Sequence, residues 1–233
     1  MNILLDWLNS TVFTVLGETI SVVELIGFVT GALCVWAVTR QYLWNWPVGI
    51  LNNIAFIVLF LGAGLYADTA LQVVFGLVGV YGWVVWARGR RRGSGRPRGR
   101  GAEGTIRREL PVRHATRLEI LVGVLATAAA TVVVALLLAN ETNSVVPWPD
   151  AFILAASLLA TWGQAKKIFE QWWVWIVVDL VSVPLYAVKG LSLTALLYTG
   201  FLALCISGVV TWRRQLARQA DEPDVRTQSL VDA

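Results

Sequence analysis

Trp172, Trp175 and Asp179 stand at i, i+3 and i+7 inside one apolar run, a spacing that sets side chains along one face of an α-helix. Tyr186 continues the same face. A charge at the centre of a membrane costs roughly 2.5–3.5 kcal/mol on insertion scales, so an acid kept there calls for a partner or a ligand. Two indoles, a carboxylate and a phenol suit a flat ring that carries a polar or cationic group. Stacking and cation–π attraction supply roughly 0.5–2 kcal/mol for each well-placed ring. Each residue also has a plainer reading. Trp172 and Trp175 fit an aromatic belt at the interface, Asp179 fits a structural partner for a polar residue on another helix, and Tyr186 fits packing.

Other polar groups lie within apolar runs. Asn53 follows Asn52, Gln72 sits one run later, and Tyr198 lies in the last run. An amide in hydrocarbon must find hydrogen bonds, and either a neighbouring helix or a ligand provides them. Pro184, just beyond Asp179, removes a backbone donor and invites a kink. Pro47 falls in a first helical turn, where proline is tolerated. Other chemistry is poorly served. The only histidine is His114, and Cys34 and Cys205 lie in separate apolar runs, which argues against a metal cluster or a disulfide framework. No nucleophile–base pair lies within the runs and no phosphate-binding Gly-rich loop is present, so neither an enzyme nor an ATP-driven pump is expected. No cofactor is expected.

The elements that must position these residues are membrane helices. Of 233 residues, 57% are hydrophobic and 15% charged, far from the balance of a soluble domain. Mean hydropathy is +0.65. Apolar runs at 20–38, 47–64, 68–87, 118–139, 150–165, 172–189 and 192–212 predict seven spans. Leu4, Leu8, Val12 and Val15 predict a short interfacial helix over residues 2–16. With the N-terminus outside and the C-terminus in the cytoplasm, 18 of the 19 Lys and Arg residues fall on the inner side, leaving Lys189 outside. The Arg-Gly-rich stretch Arg88–Arg117 predicts a disordered cytoplasmic linker that orients the chain near anionic lipid. RNA binding is the less economical account of it.

A shift of 126 positions lays the first third of the chain on the last third without a gap. Trp36 meets Trp162, Trp46 meets Trp172, Phe75 meets Phe201, Gly82 meets Gly208, Trp86 meets Trp212 and Arg88 meets Arg214. Similar residues meet as well, among them Arg40 with Lys166, Asn53 with Asp179 and Gln72 with Tyr198. Three spans repeat, and one unmatched span between the copies restores their orientation. The expected fold is therefore all-α and integral to the membrane, with two parallel three-helix repeats joined by a linker helix, a 3+1+3 plan. The expected divisions are an N-terminal interfacial segment (1–18), repeat 1 (19–88), a basic linker (89–117), the linker helix and outer loop (118–149), repeat 2 (150–214) and a cytoplasmic tail (215–233). Gly27 and Gly31 form a small-xxx-small pair suited to close helix packing.

The run Trp44-Asn45-Trp46-Pro47-Val48-Gly49-Ile50-Leu51-Asn52-Asn53, followed by Gly64-Leu65-Tyr66-Ala67-Asp68 and Leu71-Gln72, resembles the PnuC family of vitamin transporters. Gly82-Trp83-x-x-Trp86 closes the third run in the same manner, and Trp172-x-x-Trp175-x-x-x-Asp179 is similar to the family's substrate motif. The likeness covers about residues 20–90 and 150–214. It implies a SWEET-like 3+1+3 bundle that carries nicotinamide riboside, or thiamine or riboflavin as in sister subgroups. It further implies facilitated diffusion, followed by trapping through cytoplasmic phosphorylation. Trp172, Trp175 and Asp179 match the motif, with Asn53, Gln72, Trp46, Tyr186 and Tyr198 as further candidate contacts. The long arginine-rich linker departs from the family's pattern. The expected partners are the small-molecule substrate, membrane lipid and further copies of the chain in a trimer, with no nucleic acid. The expected location is the bacterial inner membrane. A seven-helix ligand sensor is the alternative from another class, since it would bind without flux.

Overall fold

The computed structural model describes residues 10–15, 18–62, 66–93, 111–141, 146–188 and 192–221. Apolar runs become helices because a backbone in hydrocarbon has no water to bond and must satisfy its own N–H and C=O groups. Among the described residues seven helices follow in order: α1 (Val22–Thr39), α2 (Asn45–Gly62), α3 (Tyr66–Gly93), α4 (Arg117–Glu141), α5 (Pro147–Ala165), α6 (Gln171–Val188) and α7 (Ser192–Asp221). Of these, α3, α4, α6 and α7 contain stretches long and apolar enough to cross a membrane, and the apolar parts of α1 and α2 are shorter. Helix α5 packs against α3, α4 and α6 and turns small residues inward, Ala151, Ala155, Ala156, Ala160 and Gly163 among them.

Two expectations change. The interfacial helix over 2–16 does not form across its described part: β1 (Thr11–Val15) pairs antiparallel with β2 (Glu18–Ser21). The cause lies in Thr11-Val12-Phe13-Thr14-Val15, a run of β-branched and aromatic residues that suit a strand better than a helix. Residues 1–9 lie outside the described residues. The basic linker is also ordered at both ends. Helix α3 continues through Arg88 to Gly93, and residues 94–110 lie outside the described residues.

The linker's far end docks on the turn between α5 and α6. Arg113 N–H donates to the Lys167 carbonyl (3.1 Å), and Phe169 N–H donates to the Arg113 carbonyl (2.9 Å). Val112 is buried against Trp212 and Phe169. Glu170 accepts from the Ala115 N–H and contacts His114 Nδ1, both at 2.8 Å. Arg113 forms a forked ion pair with Glu119 at the start of α4. Like charge and glycine alone would favour a loose chain, but these bonds and one buried valine hold the last residues in place.

Contacts throughout the bundle obey the 126-residue offset. Helix α2 packs on α3 as α6 packs on α7, and α1 meets α7 as α5 meets α3. Trp46 stands edge-on to Trp86 (5.4 Å between centroids) and Trp172 edge-on to Trp212 (5.5 Å). Trp46 lies against Gly82, and Trp172 lies against Gly208, so closely that a Cβ at either glycine would overlap the indole. Trp86 Nε1 donates to the Gln164 carbonyl (3.2 Å) and Trp212 Nε1 to the Val38 carbonyl (3.4 Å), so each tryptophan bonds the first helix of the other half. Gly27 and Gly31 do provide close packing, but what they admit is a phenyl ring from Phe56 and Phe201, not another helix backbone.

The turns α1–α2 and α5–α6 are built alike. Gln41 N–H donates to Val38 and Tyr42 N–H to Ala37; Lys167 N–H donates to Gln164 and Ile168 N–H to Gly163. This is the glycine-favouring left-handed helix cap, yet Gln41 (φ 54°) and Lys167 (φ 51°) occupy its positive-φ position. A side chain there costs roughly 1–2 kcal/mol. Here both side chains are used. Lys167 Nζ donates to Gln41 Oε1, joining the two turns, and sits 4.5 Å from the centroid of the Trp86 ring.

The indole-on-glycine contact makes one quantity measurable. Gly208→Ala drives a methyl into the buried Trp172 ring and is expected to cost about 1–3 kcal/mol, the range for overpacking. A lowered thermal midpoint in detergent checks this, with Gly200→Ala as a control whose added methyl meets open space.

Candidate functional site

Six of the helices, all but α4, surround a cavity of about 290 Å³ between the two offset-related halves. From the first half come Gly31, Cys34, Val35 and Val38 of α1, Asn45, Trp46, Gly49, Asn52 and Asn53 of α2, and Phe75 and Gly79 of α3. From the second come Thr161 and Gln164 of α5, Trp172, Trp175 and Asp179 of α6, and Tyr198, Phe201 and Cys205 of α7. The volume falls at the small end of the usual range for ligand pockets. Mostly apolar walls with few polar groups are typical of a site that holds an organic ligand.

Asp179 is the central polar group. It is the ninth residue of α6, about 12 Å along the helix at 1.5 Å per residue. Only 2% of it is exposed. Cys205 lines the same cavity on α7, and the carboxyl Oδ2 has no protein partner. A buried carboxyl oxygen without a partner in a cavity wall leaves a bond for a ligand. Spacing alone does not mark Cys205, since a single cysteine in an apolar run suggests neither a disulfide nor a metal ligand. Cys34, the other cysteine, also lines the cavity and contacts the Asn45 carbonyl.

Six of the eight candidate residues line this cavity: Trp46, Asn53, Trp172, Trp175, Asp179 and Tyr198. Gln72 and Tyr186 do not. Tyr186 stands behind Tyr198, stacked on it at 5.1 Å and 26°. The indoles divide by role. Trp46 and Trp172 are almost wholly buried and wedged on their glycines, so they hold helices together and offer little free face. Their Nε1 atoms have no protein partner. Trp175 is half-buried, has no tryptophan counterpart at the offset, and is the lining indole with a face left to stack. A pair of tryptophan plates on α6, the arrangement expected from the spacing, is therefore reduced to one plate and one wedge.

One end of the cavity is polar. Gln164 Nε2 approaches Asn45 Oδ1 (3.5 Å), and Asn45 Nδ2 donates to the Tyr42 carbonyl (2.6 Å). The Gln41–Lys167 bridge crosses just past this end, three residues beyond Val38 and Gln164.

The sequence profile of the family described as Nicotinamide mononucleotide transporter matches residues 21–214. The chain is 33% identical over 209 residues to the riboflavin/roseoflavin transporter RibM of Streptomyces davaonensis, covering 89% of this chain and 92% of that protein. It is 25% identical over 215 residues to the nicotinamide riboside transporter PnuC of Escherichia coli, covering 84% and 87%. The crystal structure of the vitamin B3 transporter PnuC superposes with a TM-score of 0.64 at 23% identity, covering 84% of this chain and 82% of that one, which establishes a shared fold. The profile match spans every helix of the bundle, so the chain belongs to the nicotinamide mononucleotide transporter family, that of the PnuC proteins, and is a multi-pass membrane transporter of vitamins.

Proposed function

We propose that this transporter carries a planar nitrogen heterocycle joined to a polyhydroxylated chain, by facilitated diffusion through alternating access of two parallel three-helix repeats. The observation that carries this reading is the buried Asp179, whose Oδ2 lacks a partner, in the same cavity wall as the half-free Trp175 indole. Trp175 stacks on the ring, Asp179 takes its charged or N–H-bearing edge, and Asn53, Tyr198 and the indole N–H groups of Trp46 and Trp172 bond the hydroxyls. The 3+1+3 plan is supported by hydrogen bonds and ring contacts that recur at the 126-residue offset.

Two members of this substrate class are favoured by different observations. Nicotinamide riboside bears a pyridinium cation, which suits a carboxylate in low dielectric beside an indole face. Riboflavin is favoured by the Streptomyces relative, the more similar of the two named above. For either substrate the count of basic residues favours a cytoplasmic position for the Gln41–Lys167 end. Rocking of the repeats would part that bridge to release substrate inward, where phosphorylation traps it.

Calorimetric titration of purified protein with nicotinamide riboside, riboflavin and thiamine separates the readings. Trp175→Ala is expected to weaken binding at least about tenfold for any of them. Asp179→Asn keeps the shape and removes the charge. It is expected to cost about tenfold or more for a cationic substrate and much less for a neutral flavin. Wild-type affinity in both variants refutes the site. In liposomes, uptake is expected without ATP or an ion gradient; saturable binding without flux would indicate a sensor instead.

A further inference from the structure

The two halves of the cavity share Trp46 with Trp172 and Phe75 with Phe201, and the places where they differ carry information about what fills it. Position 49 is the sharpest difference. On α2 the sequence reads Trp46, Gly49, Asn53; on α6, at the 126-residue offset, it reads Trp172, Trp175, Asp179. The largest side chain of one face is answered by no side chain on the other.

Most glycines of the bundle have a packing reason. Gly27, Gly31, Gly79, Gly82, Gly123, Gly163 and Gly208 each lie within close reach of a neighbouring side chain. Gly49 does not: a Cβ placed there meets nothing within 4 Å. It nevertheless lies in the interior of α2, where glycine weakens a helix relative to alanine. Gly76 and Gly200 also have open space, but neither lines the cavity. Among the described residues, Gly49 is the one cavity-lining glycine whose missing side chain is not replaced by protein.

We infer that Gly49 is a specificity-determining residue: the bare α2 backbone there forms one wall of a slot whose other wall includes the Trp175 indole, and the missing side chain sets how large a ring is admitted. This rests on the substrate class and site proposed above. The halves cannot both carry tryptophan at this position, because a second indole would occupy the space the ring needs. A planar heterocycle is instead bounded by aromatic surface on one side and by helix backbone on the other. Aliphatic side chains at 49 would exclude substrates in order of ring size, fused rings first.

The test is a series at this position in the full-length purified protein. Gly49→Ala is expected to raise the thermal midpoint, since alanine is the better helix residue and meets no clash, while lowering affinity for the vitamin that the wild type binds. Gly49→Leu is expected to lower that affinity by about tenfold or more. Gly200→Leu, in open space outside the cavity, is expected to leave affinity unchanged. The opposed signs in Gly49→Ala separate a slot from a structural role, which would lower stability and binding together. Wild-type affinity in both Gly49 variants overturns the inference and leaves the proposed function standing. Failure of the wild type to bind any of the three vitamins overturns both.

Discussion

Hydrocarbon offers no hydrophobic gain to helices that leave lipid for one another, so a bundle of this kind coheres through fit and through hydrogen bonds. The decisive fit here is an indole laid on a bare glycine, made once between α2 and α3 and again between α6 and α7. Each wedged indole meets a second tryptophan edge-on, and that second ring donates its N–H to the opposite half. One contact thus sets the spacing within a half, and the next ties the halves together. The cavity is the space these two fixed spacings leave between them.

The helices were legible because lipid imposes a simple demand on sequence. A run of apolar residues must satisfy its own backbone, and each expected run falls within a few residues of an observed helix. Helix ends were less legible. Hydropathy locates where lipid stops, but Arg88–Gly93 and Arg213–Asp221 continue their helices in charged sequence, where hydrogen bonding persists without apolar side chains. The strand pair Thr11–Val15 and Glu18–Ser21 was hidden for a related reason: Val12 and Val15, two of the four residues at helical spacing, also belong to a run whose β-branched content favours strand. The docking of Val112 and Arg113 on the α5–α6 turn could not be read at all, because it depends on a contact distant in sequence.

On α6, spacing sets Trp172, Trp175 and Asp179 on one face, and all three line the cavity, but spacing does not distinguish a wedge from a plate. Burial makes that distinction, since Trp172 spends its faces on Gly208 and Trp212 while Trp175 does not. Gln72 illustrates the reverse error. Polarity within an apolar run is a demand for a hydrogen bond, and it says nothing about which direction the bond is found. Cys205 shows that a lone cysteine in an apolar run is invisible to motif reasoning, although it lines the same cavity as the acid.

The turn pair at Gln41 and Lys167 bears on how such a chain could arise. Two separate copies of one three-helix unit would bring identical side chains to this crossing. Two lysines there would repel, and two glutamines would lack a cation to lay on the neighbouring ring. Joining the copies in one polypeptide frees each to mutate alone, so donor and acceptor can settle on opposite sides. Gene fusion, in this view, adds more than tethering: it permits a lopsided interior that no symmetric dimer can have.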